Sequence, residues 1–118
     1  MKTTVYGIKN CDTMKKARSW LDANGFVYAF HDYKAASVDR QHLEGWCKVH
    51  GWEVLLNRAG TTFRALPEEA KQVSDQEAAI ALMLAQPSMI KRPVLECAGE
   101  VLVGFKPDTY ANLFRTQA

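Results

Sequence analysis

The first 33 residues of the chain predict a strand, a helix and a second strand in close succession. The stretch TTVYGI is short and rich in β-branched residues, and FVYAFHDY returns to the same character after Gly25. Between them, DTMKKARSWLDANG carries apolar residues at helical spacing, namely Met14, Ala17, Trp20 and Leu21. Two strands joined through a helix lie parallel in one sheet, with the helix on one face. The chain therefore begins with a βαβ unit.

The middle of the chain, residues 37 to 86, is predicted to be mostly helical. Three residues share a face at helical spacing: Leu43, Trp46 and Cys47. Pro67 is placed to open a short helix, and SDQE has the spacing of a capping box just before the apolar run AAIALMLA. The middle is therefore expected to be a helical insert between the strands, and neither an internal repeat nor a low-complexity linker is found.

The last part of the chain returns to the sheet. RPVLECAGEVLVGF predicts two short strands joined at Ala98-Gly99-Glu100, a connection tight enough for an antiparallel hairpin. Pro107 then opens a helix with an apolar stripe of Tyr110, Leu113 and Phe114. The predicted order is βαβ, a helical insertion and ββα.

Composition limits the classes of function. The 118 residues suit one domain with a single modest core. No apolar run approaches the ~20 residues that a membrane span requires, and a net charge of +2 is too small to indicate nucleic-acid binding. MKTTVYGIKN lacks the apolar stretch and cleavage site of a secretory signal. We expect a soluble, monomeric, cytoplasmic protein with reduced thiols and without a nucleic-acid or membrane partner.

The three cysteines are Cys11, Cys47 and Cys97, an odd number without a CxxC pair. This pattern indicates neither a disulfide framework nor a zinc knuckle. Cys47 lies on an apolar helix face and Cys97 in a β-rich run, so both are interpreted as core residues. Among the histidines, only His50 pairs with Cys47 on a helix face, and two ligands are too few for zinc. No metal site is predicted.

Cys11 stands where the first strand meets the first helix. A thiol at a helix start faces unsatisfied N–H groups and the positive end of the helix dipole, which favour the thiolate. Lowering its pKa from about 8.5 to about 7 would make half of it nucleophilic at neutral pH. Lys9, Lys15 and Lys16 are expected to add positive charge. The alternative is that Cys11 packs as a small apolar residue.

Four stretches carry a resemblance to a known family: YGIKNCDTMKKA, LLNRAGTTFRAL, PSMIKRPVLE and VGFKPDTY. In this order and spacing they resemble the arsenate reductase (ArsC) family, within it the YffB-like branch of thiol reductases, with the Spx-type transcription regulators as near relatives. The resemblance implies an α/β fold of the thioredoxin and glutaredoxin type: a four-stranded mixed sheet with flanking helices, interrupted by a helical insertion. It implies one domain over 1–118, with a βαβ half at 1–36, the insertion at 37–90 and a ββα half at 91–118.

The resemblance also implies a site. Cys11 is the expected nucleophile, and Arg64 and Arg92 fall on the family's arginines, whose planar guanidinium groups hold an oxyanion or a carboxylate. Where the arsenate reductases have a third arginine before a proline, this chain has Lys106, which keeps the charge but loses the two-pronged geometry. Lys106 is therefore expected to bind substrate with altered oxyanion specificity.

A second departure lies upstream of the cysteine, where arsenate-reducing members have His-Asn and this chain has Gly7 and Ile8. Asn10 and Thr13 are expected to donate hydrogen bonds to the sulfur or the substrate, with helix capping as the alternative. In thioredoxin-like folds the proline before the third strand is cis, and the backbone beside it receives the thiol substrate. The resemblance therefore implies that Pro93 is cis and lies in the substrate site.

Met14 occupies the place of the second cysteine of a CxxC pair, so the resolving thiol must come from outside the chain. The expected protein is a monothiol, glutathione-dependent oxidoreductase that binds no metal or organic cofactor. Its substrate is a small oxyanion or a mixed disulfide, and glutathione or a glutaredoxin reduces it. One alternative is an Spx-like regulator that binds RNA polymerase with little or no reductase activity. Another is glutathione transfer or deglutathionylation without arsenate chemistry, which uses the same residues.

Overall fold

The computed structural model describes residues 3–9 and 11–117, with side chains through residue 115. It divides into two units. One contains the two ends of the chain, up to Asp32 and from Arg92, and the other contains Tyr33–Lys91. The boundaries between these two units fall at residues 32/33 and 91/92. The single domain, with internal boundaries at residues 36/37 and 90/91, stays a prediction.

The described elements follow one another as strand, helix, strand, a run of helices, hairpin and helix. The strands are β1 (Thr3–Gly7), β2 (Ala29–Asp32), β3 (Val94–Cys97) and β4 (Glu100–Val103). The α-helices in chain order are α1 (Asp12–Ala23), α2 (Tyr33–Ala36), α3 (Arg40–His50), α4 (Trp52–Leu55), α5 (Thr61–Arg64), α6 (Gln76–Ala85) and α7 (Pro107–Gln117). Short 3₁₀ turns span Glu68–Lys71 and Pro87–Met89. Within the described residues, no helix is long and apolar enough to cross a membrane.

The unit formed by the chain ends is built on one mixed sheet of four strands, in the order β2-β1-β3-β4. β1 runs parallel to β2, as the βαβ pattern predicts. β3 runs antiparallel to both β1 and β4. Because β3 and β1 run in opposite directions, the residues before β3 lie at the same end of the sheet as the residues after β1.

The core of this unit joins one face of the sheet to α1 and α7. Val5 and Leu95 supply apolar side chains from the sheet, and both are fully buried. The apolar spacing predicted for α1 is confirmed by the burial of Met14, Ala17 and Leu21, and the stripe predicted for α7 is buried in the same cluster: Tyr110, Leu113 and Phe114. The burial of this apolar surface holds α1, and therefore its first turn, against the sheet.

The second strand is shorter than the sequence predicts, because it begins at Ala29 rather than at Phe26. The Phe26 N–H donates to the Leu21 carbonyl at 3.0 Å, and the Phe26 ring stacks on Phe114 with centroids 4.1 Å apart. Through these contacts Phe26 packs at the end of α1 and does not belong to β2. Gly25, with φ of +74°, makes the turn between them, as its predicted role as a helix stop requires.

The predicted hairpin is confirmed and its turn has two residues. Ala98 and Gly99 both have positive φ, at 52° and 84°, which is the geometry of a type I′ turn. Glu100 belongs to β4 and pairs with Cys97. The helix predicted to open at Pro107 also begins there.

The Tyr33–Lys91 unit is helical, as predicted. α3 begins at its cap Asp39, whose side chain accepts from the His42 N–H at 2.8 Å. The predicted buried face of α3 is confirmed, because its three members are all buried: Leu43, Trp46 and Cys47. Pro67 opens a 3₁₀ turn, Glu68–Lys71, rather than an α-helix.

The capping box predicted at the start of α6 lies one residue away from the cap in the structure. Asp75, rather than Ser74, is the N-cap, and its side chain accepts from the Ala78 N–H at 2.8 Å. Glu77 forms an ion pair with Arg40 instead of returning to the cap. An aspartate next to a serine offers the stronger acceptor, so the start of the helix moves to Asp75.

Candidate active site

Cys11 is the N-cap of α1. Its backbone is extended, with φ of −121° and ψ of 131°, and its carbonyl accepts the Lys15 N–H at 3.0 Å. The side chain is half-buried and packs against the core cluster of the sheet unit. The position is the one that the sequence predicts: the first strand-to-helix junction, with the thiol beside the first turn of the helix.

The pKa of the Cys11 thiol is lowered below its ordinary value. Partial burial is the largest single influence and raises the pKa. The surrounding donors together outweigh it, so the net shift is downward. These donors are the Met14 N–H, the Arg92 side chain and the Thr13 N–H, and the positive charge of Arg92 adds to them. The Cys11 sulfur does not form a helix-capping hydrogen bond of standard geometry with these N–H groups. The first turn of α1 and one guanidinium therefore stabilise the thiolate together.

Arg92 reaches this place through the sheet topology. Tyr6 pairs with Val94, so the residues just before β3 lie at the end of β1 from which the chain leads to Cys11. The Arg92-Pro93 bond is cis, as the resemblance implies. The Pro93 carbonyl accepts the Gly104 N–H at 2.8 Å, which extends the β3–β4 pairing by one bond.

The source of positive charge at Cys11 differs from the expectation. Arg92 supplies it, whereas Lys9, Lys15 and Lys16 are exposed and are not among the groups that shift the Cys11 pKa. Thr13 acts on the sulfur through its backbone N–H, and the predicted role of its hydroxyl stays a prediction. The predicted contribution of Asn10 falls on a residue outside the described ranges.

Lys106 stands directly before α7, where its carbonyl accepts the Tyr110 N–H at 3.1 Å. Because β4 runs antiparallel to β3, the residues after Val103 lie at the same end of the sheet as those before Val94. The topology therefore brings the Lys106 backbone to the Arg92 end of the sheet, and its side chain is exposed. Its role in binding substrate stays a prediction.

Arg64 is the last residue of α5 and is exposed. Its N–H donates to the Gly60 carbonyl at 3.1 Å, and the helix is held by the burial of Phe63. Arg64 belongs to the Tyr33–Lys91 unit, and its role in holding an anion stays a prediction from the motif.

The other two cysteines are core residues, as predicted. Cys47 is 4% exposed and Cys97 is 1% exposed. Burial raises the pKa of the Cys47 thiol, and Cys97 accepts a hydrogen bond from the Thr3 hydroxyl at 3.3 Å. Among the described residues, no group of three or more histidine, cysteine or acidic side chains is placed to hold a metal ion. Of the three thiols, Cys11 is the one that is not buried.

Comparison with known proteins identifies the family. The ArsC family model matches residues 6–113. A solved structure of a protein named YFFB has a TM-score of 0.92 and 64% sequence identity, over 94% of this chain and 97% of that one. The solution structure of an arsenate reductase (ArsC) related protein from Brucella melitensis has a TM-score of 0.76 and 57% identity, over 98% and 96%. The global transcriptional regulator Spx of Streptococcus mutans is 24% identical over 107 residues, covering 89% of this chain and 77% of that protein.

The two solved structures share the fold predicted from the sequence, a thioredoxin-like mixed sheet of four strands with flanking helices. The matched region runs from the last two residues of β1 through most of α7, and therefore contains Cys11, Arg64, Arg92 and Lys106. The chain belongs to the ArsC family.

Proposed function

We propose that the protein is a monothiol oxidoreductase of the arsenate reductase type, with Cys11 as its nucleophile and glutathione as its reductant. The observation that carries the proposal is the lowered pKa of Cys11, held down by Arg92 and the first turn of α1. A nucleophilic thiol reacts as the thiolate, so this arrangement increases the fraction of Cys11 that is ready to attack. Membership of the ArsC family and the arsenate-reductase-related neighbour support the same class of reaction.

The reaction on a mixed disulfide takes two exchange steps. The Cys11 thiolate attacks the glutathione sulfur of the substrate, the substrate S–S bond breaks, and the substrate sulfur leaves with the bonding electrons and takes up a proton. A second glutathione thiolate then attacks the Cys11–glutathione disulfide, which releases oxidised glutathione and returns the Cys11 thiolate. Arg92 stabilises the Cys11 thiolate before attack and after release.

Arsenate follows the same scheme with arsenic in place of sulfur. The Cys11 thiolate bonds to As(V), an As–O bond breaks, and the displaced hydroxide takes up a proton and leaves as water. A glutathione thiolate then attacks the Cys11 sulfur. The arsenic leaves with the electron pair of the S–As bond, as As(III), and a second glutathione reduces the disulfide that remains. In this proposal Arg64, Arg92 and Lys106 hold the anionic group, and the backbone at Pro93 receives the thiol.

Met14 is the reason that the reductant must come from outside the chain. Its side chain is fully buried in the core and fills the position that a second cysteine would take in a dithiol enzyme. Cys47 and Cys97 are also buried, so none of the described residues offers an accessible second thiol beside Cys11. Glutathione is the abundant thiol of a reducing cytoplasm, where we place the protein, and a glutaredoxin is the protein alternative.

The test supplies glutathione with either a glutathionylated peptide or arsenate, and follows oxidised glutathione with glutathione reductase and NADPH. We expect turnover of at least one substrate by the natural protein and by Cys47→Ala, and none by Cys11→Ser. Turnover of the peptide alone would assign deglutathionylation, and turnover of both would assign arsenate reduction as well. Equal turnover by the natural protein and Cys11→Ser would contradict the proposal.

The sequence relationship to Spx supports a second candidate, a regulator that binds RNA polymerase. The observation against it is the activated Cys11, which a protein that only binds a partner does not require. A titration with the polymerase α subunit separates the two. Saturable binding together with an unreactive Cys11 would favour the regulator, and we expect no saturable binding.

A further inference from the structure

Gly7 and Met14 face each other where β1 ends and α1 begins. A Cβ placed on Gly7 would lie 2.6 Å from Cε and 3.2 Å from Cγ of Met14, with the thioether sulfur closer still. Carbon atoms in contact lie about 3.5–4.0 Å apart, so a methyl group at residue 7 requires the end of the Met14 side chain to move. The φ of Gly7 is outside the left-handed region. The Met14 side chain as it stands, rather than the backbone conformation, therefore favours glycine at this position.

The Met14 side chain is held in place on its other sides. It is fully buried and belongs to the core cluster, which it shares with Val5, Leu95 and the apolar face of α1. Methionine is flexible, but in a close-packed core a rotation moves its neighbours as well. A side chain at residue 7 would therefore act through Met14 on the separation between β1 and the first turn of α1.

That separation matters because the first turn of α1 acts on the Cys11 sulfur. The Met14 N–H is the strongest of the groups that favour the thiolate, and the Thr13 N–H acts in the same direction. Both N–H groups belong to the backbone that carries the Met14 side chain. A small displacement of this turn changes the N–H to sulfur distances directly, because Cys11 is the residue at which the helix begins.

We propose that Gly7 is a positioning residue for the Cys11 thiolate. The missing side chain at residue 7 lets Met14 seat against the end of β1, and this contact sets the place of the Thr13 and Met14 N–H groups beside the sulfur. The inference rests on the proposed function, in which Cys11 is the nucleophile. It also gives a physical reason why Gly7 accompanies a methionine at residue 14: a larger residue at either place requires a smaller one at the other.

The experiment measures the rate of Cys11 alkylation by iodoacetamide against pH in the full-length protein, with the modified residue identified by mass spectrometry. We expect Gly7→Ala to raise the apparent Cys11 pKa by about half a unit or more, which slows alkylation below that pKa about threefold. In Gly7→Ala/Met14→Ala the methionine side chain is gone, and we expect the profile of Met14→Ala alone. Gly45→Ala is the matched control, because a Cβ there meets nothing within 4 Å.

Two results would overturn the inference. If folded Gly7→Ala shows the same pH dependence of Cys11 alkylation as the natural protein, Met14 rotates without moving the first turn of α1. A profile of the double variant that differs from that of Met14→Ala would show that residue 7 acts on the thiolate by another route. If Gly7→Ala does not fold by circular dichroism, this second comparison carries the test. Alkylation needs neither glutathione nor substrate, so a failure of the proposed turnover leaves this readout intact.

Discussion

The Arg92 guanidinium acts on the Cys11 sulfur both as a hydrogen-bond donor and as a positive charge. These residues come from opposite ends of the chain, and the antiparallel pairing of β1 with β3 brings them to one end of the sheet. The cis bond between Arg92 and Pro93 lies at this same place. The Cys11 thiol and its cationic partner are thus placed by the strand order of the fold.

Replacing Arg92 tests this relationship. We expect Arg92→Ala to raise the Cys11 pKa, because the donor and the charge are both lost, and Arg92→Lys to raise it less, because the charge is kept. The measurement is the ultraviolet absorbance of the thiolate against pH, with Cys11→Ser subtracted.

The matched control for Arg92 is Lys15→Ala, which removes an exposed positive charge from α1. Its Cys11 titration should coincide with that of the natural protein. A larger shift in Lys15→Ala than in Arg92→Ala would show that the wrong cation has been assigned.

Arg64 separates anion binding from thiol activation. If it holds the anionic group of the substrate, Arg64→Ala should lower kcat/KM about 10²-fold or more, by analogy with lost oxyanion donors. The Cys11 titration should stay unchanged, since Arg64 is not among the groups that shift its pKa. Steady-state kinetics with glutathione and the reactive substrate give the answer, and unchanged kcat/KM would remove Arg64 from the site.

The lowered pKa of Cys11 also predicts how stability depends on pH. A folded-state pKa below the unfolded value means that folding favours the thiolate, so the stabilisation is fully present above the unfolded pKa of about 8.5. It is lost as the pH falls through the folded-state pKa. The free energy of unfolding of the natural protein, relative to Cys11→Ser, should therefore rise with pH across this window in urea titrations. A difference that falls with rising pH would contradict the lowered pKa.

Cys47 and Cys97 should be unreactive in the native protein. Both are buried, and burial raises the pKa of the Cys47 thiol, so iodoacetamide should modify them only when the chain unfolds. Mass spectrometry before and after addition of urea checks this. Native modification of Cys47 at the rate of Cys11 would show that burial does not protect it.

The local elements could be predicted from the sequence, because their signals are local. The apolar spacing on α1, the opening of α7 at Pro107 and the two-residue turn at Ala98-Gly99 each depend on residues close in the chain. The start of β2 and the cap of α6 were predicted less accurately. Phe26 stacks on Phe114, which lies far along the chain, and this contact cannot be seen from the local sequence. At the start of α6, Asp75 and its neighbour Ser74 are both possible caps, and the structure uses Asp75.

The position of Cys11 at the start of α1 was predictable from the sequence, but most of its surroundings were not. Cys11 at a strand-to-helix junction predicts activation by the helix, and the motif alone indicated Arg92. The expectation that Lys9, Lys15 and Lys16 lower the Cys11 pKa did not identify the charged group that does so, which is Arg92. Lysines that are near in the chain need not place their long side chains beside the sulfur. The Gly7–Met14 contact depends on how closely β1 approaches α1, and its only signal in the sequence was the departure from the family's His-Asn pair.

The pH dependence of Cys11 alkylation in the reduced natural protein tests the central claim most directly. Cys11, Cys47 and Cys97 would be followed separately by mass spectrometry, with and without glutathione and arsenate. The account predicts an apparent Cys11 pKa below that of a free cysteine, and protection of Cys11 by one of the two ligands. A Cys11 that titrates as a free cysteine and is protected by neither ligand would contradict an activated catalytic thiolate.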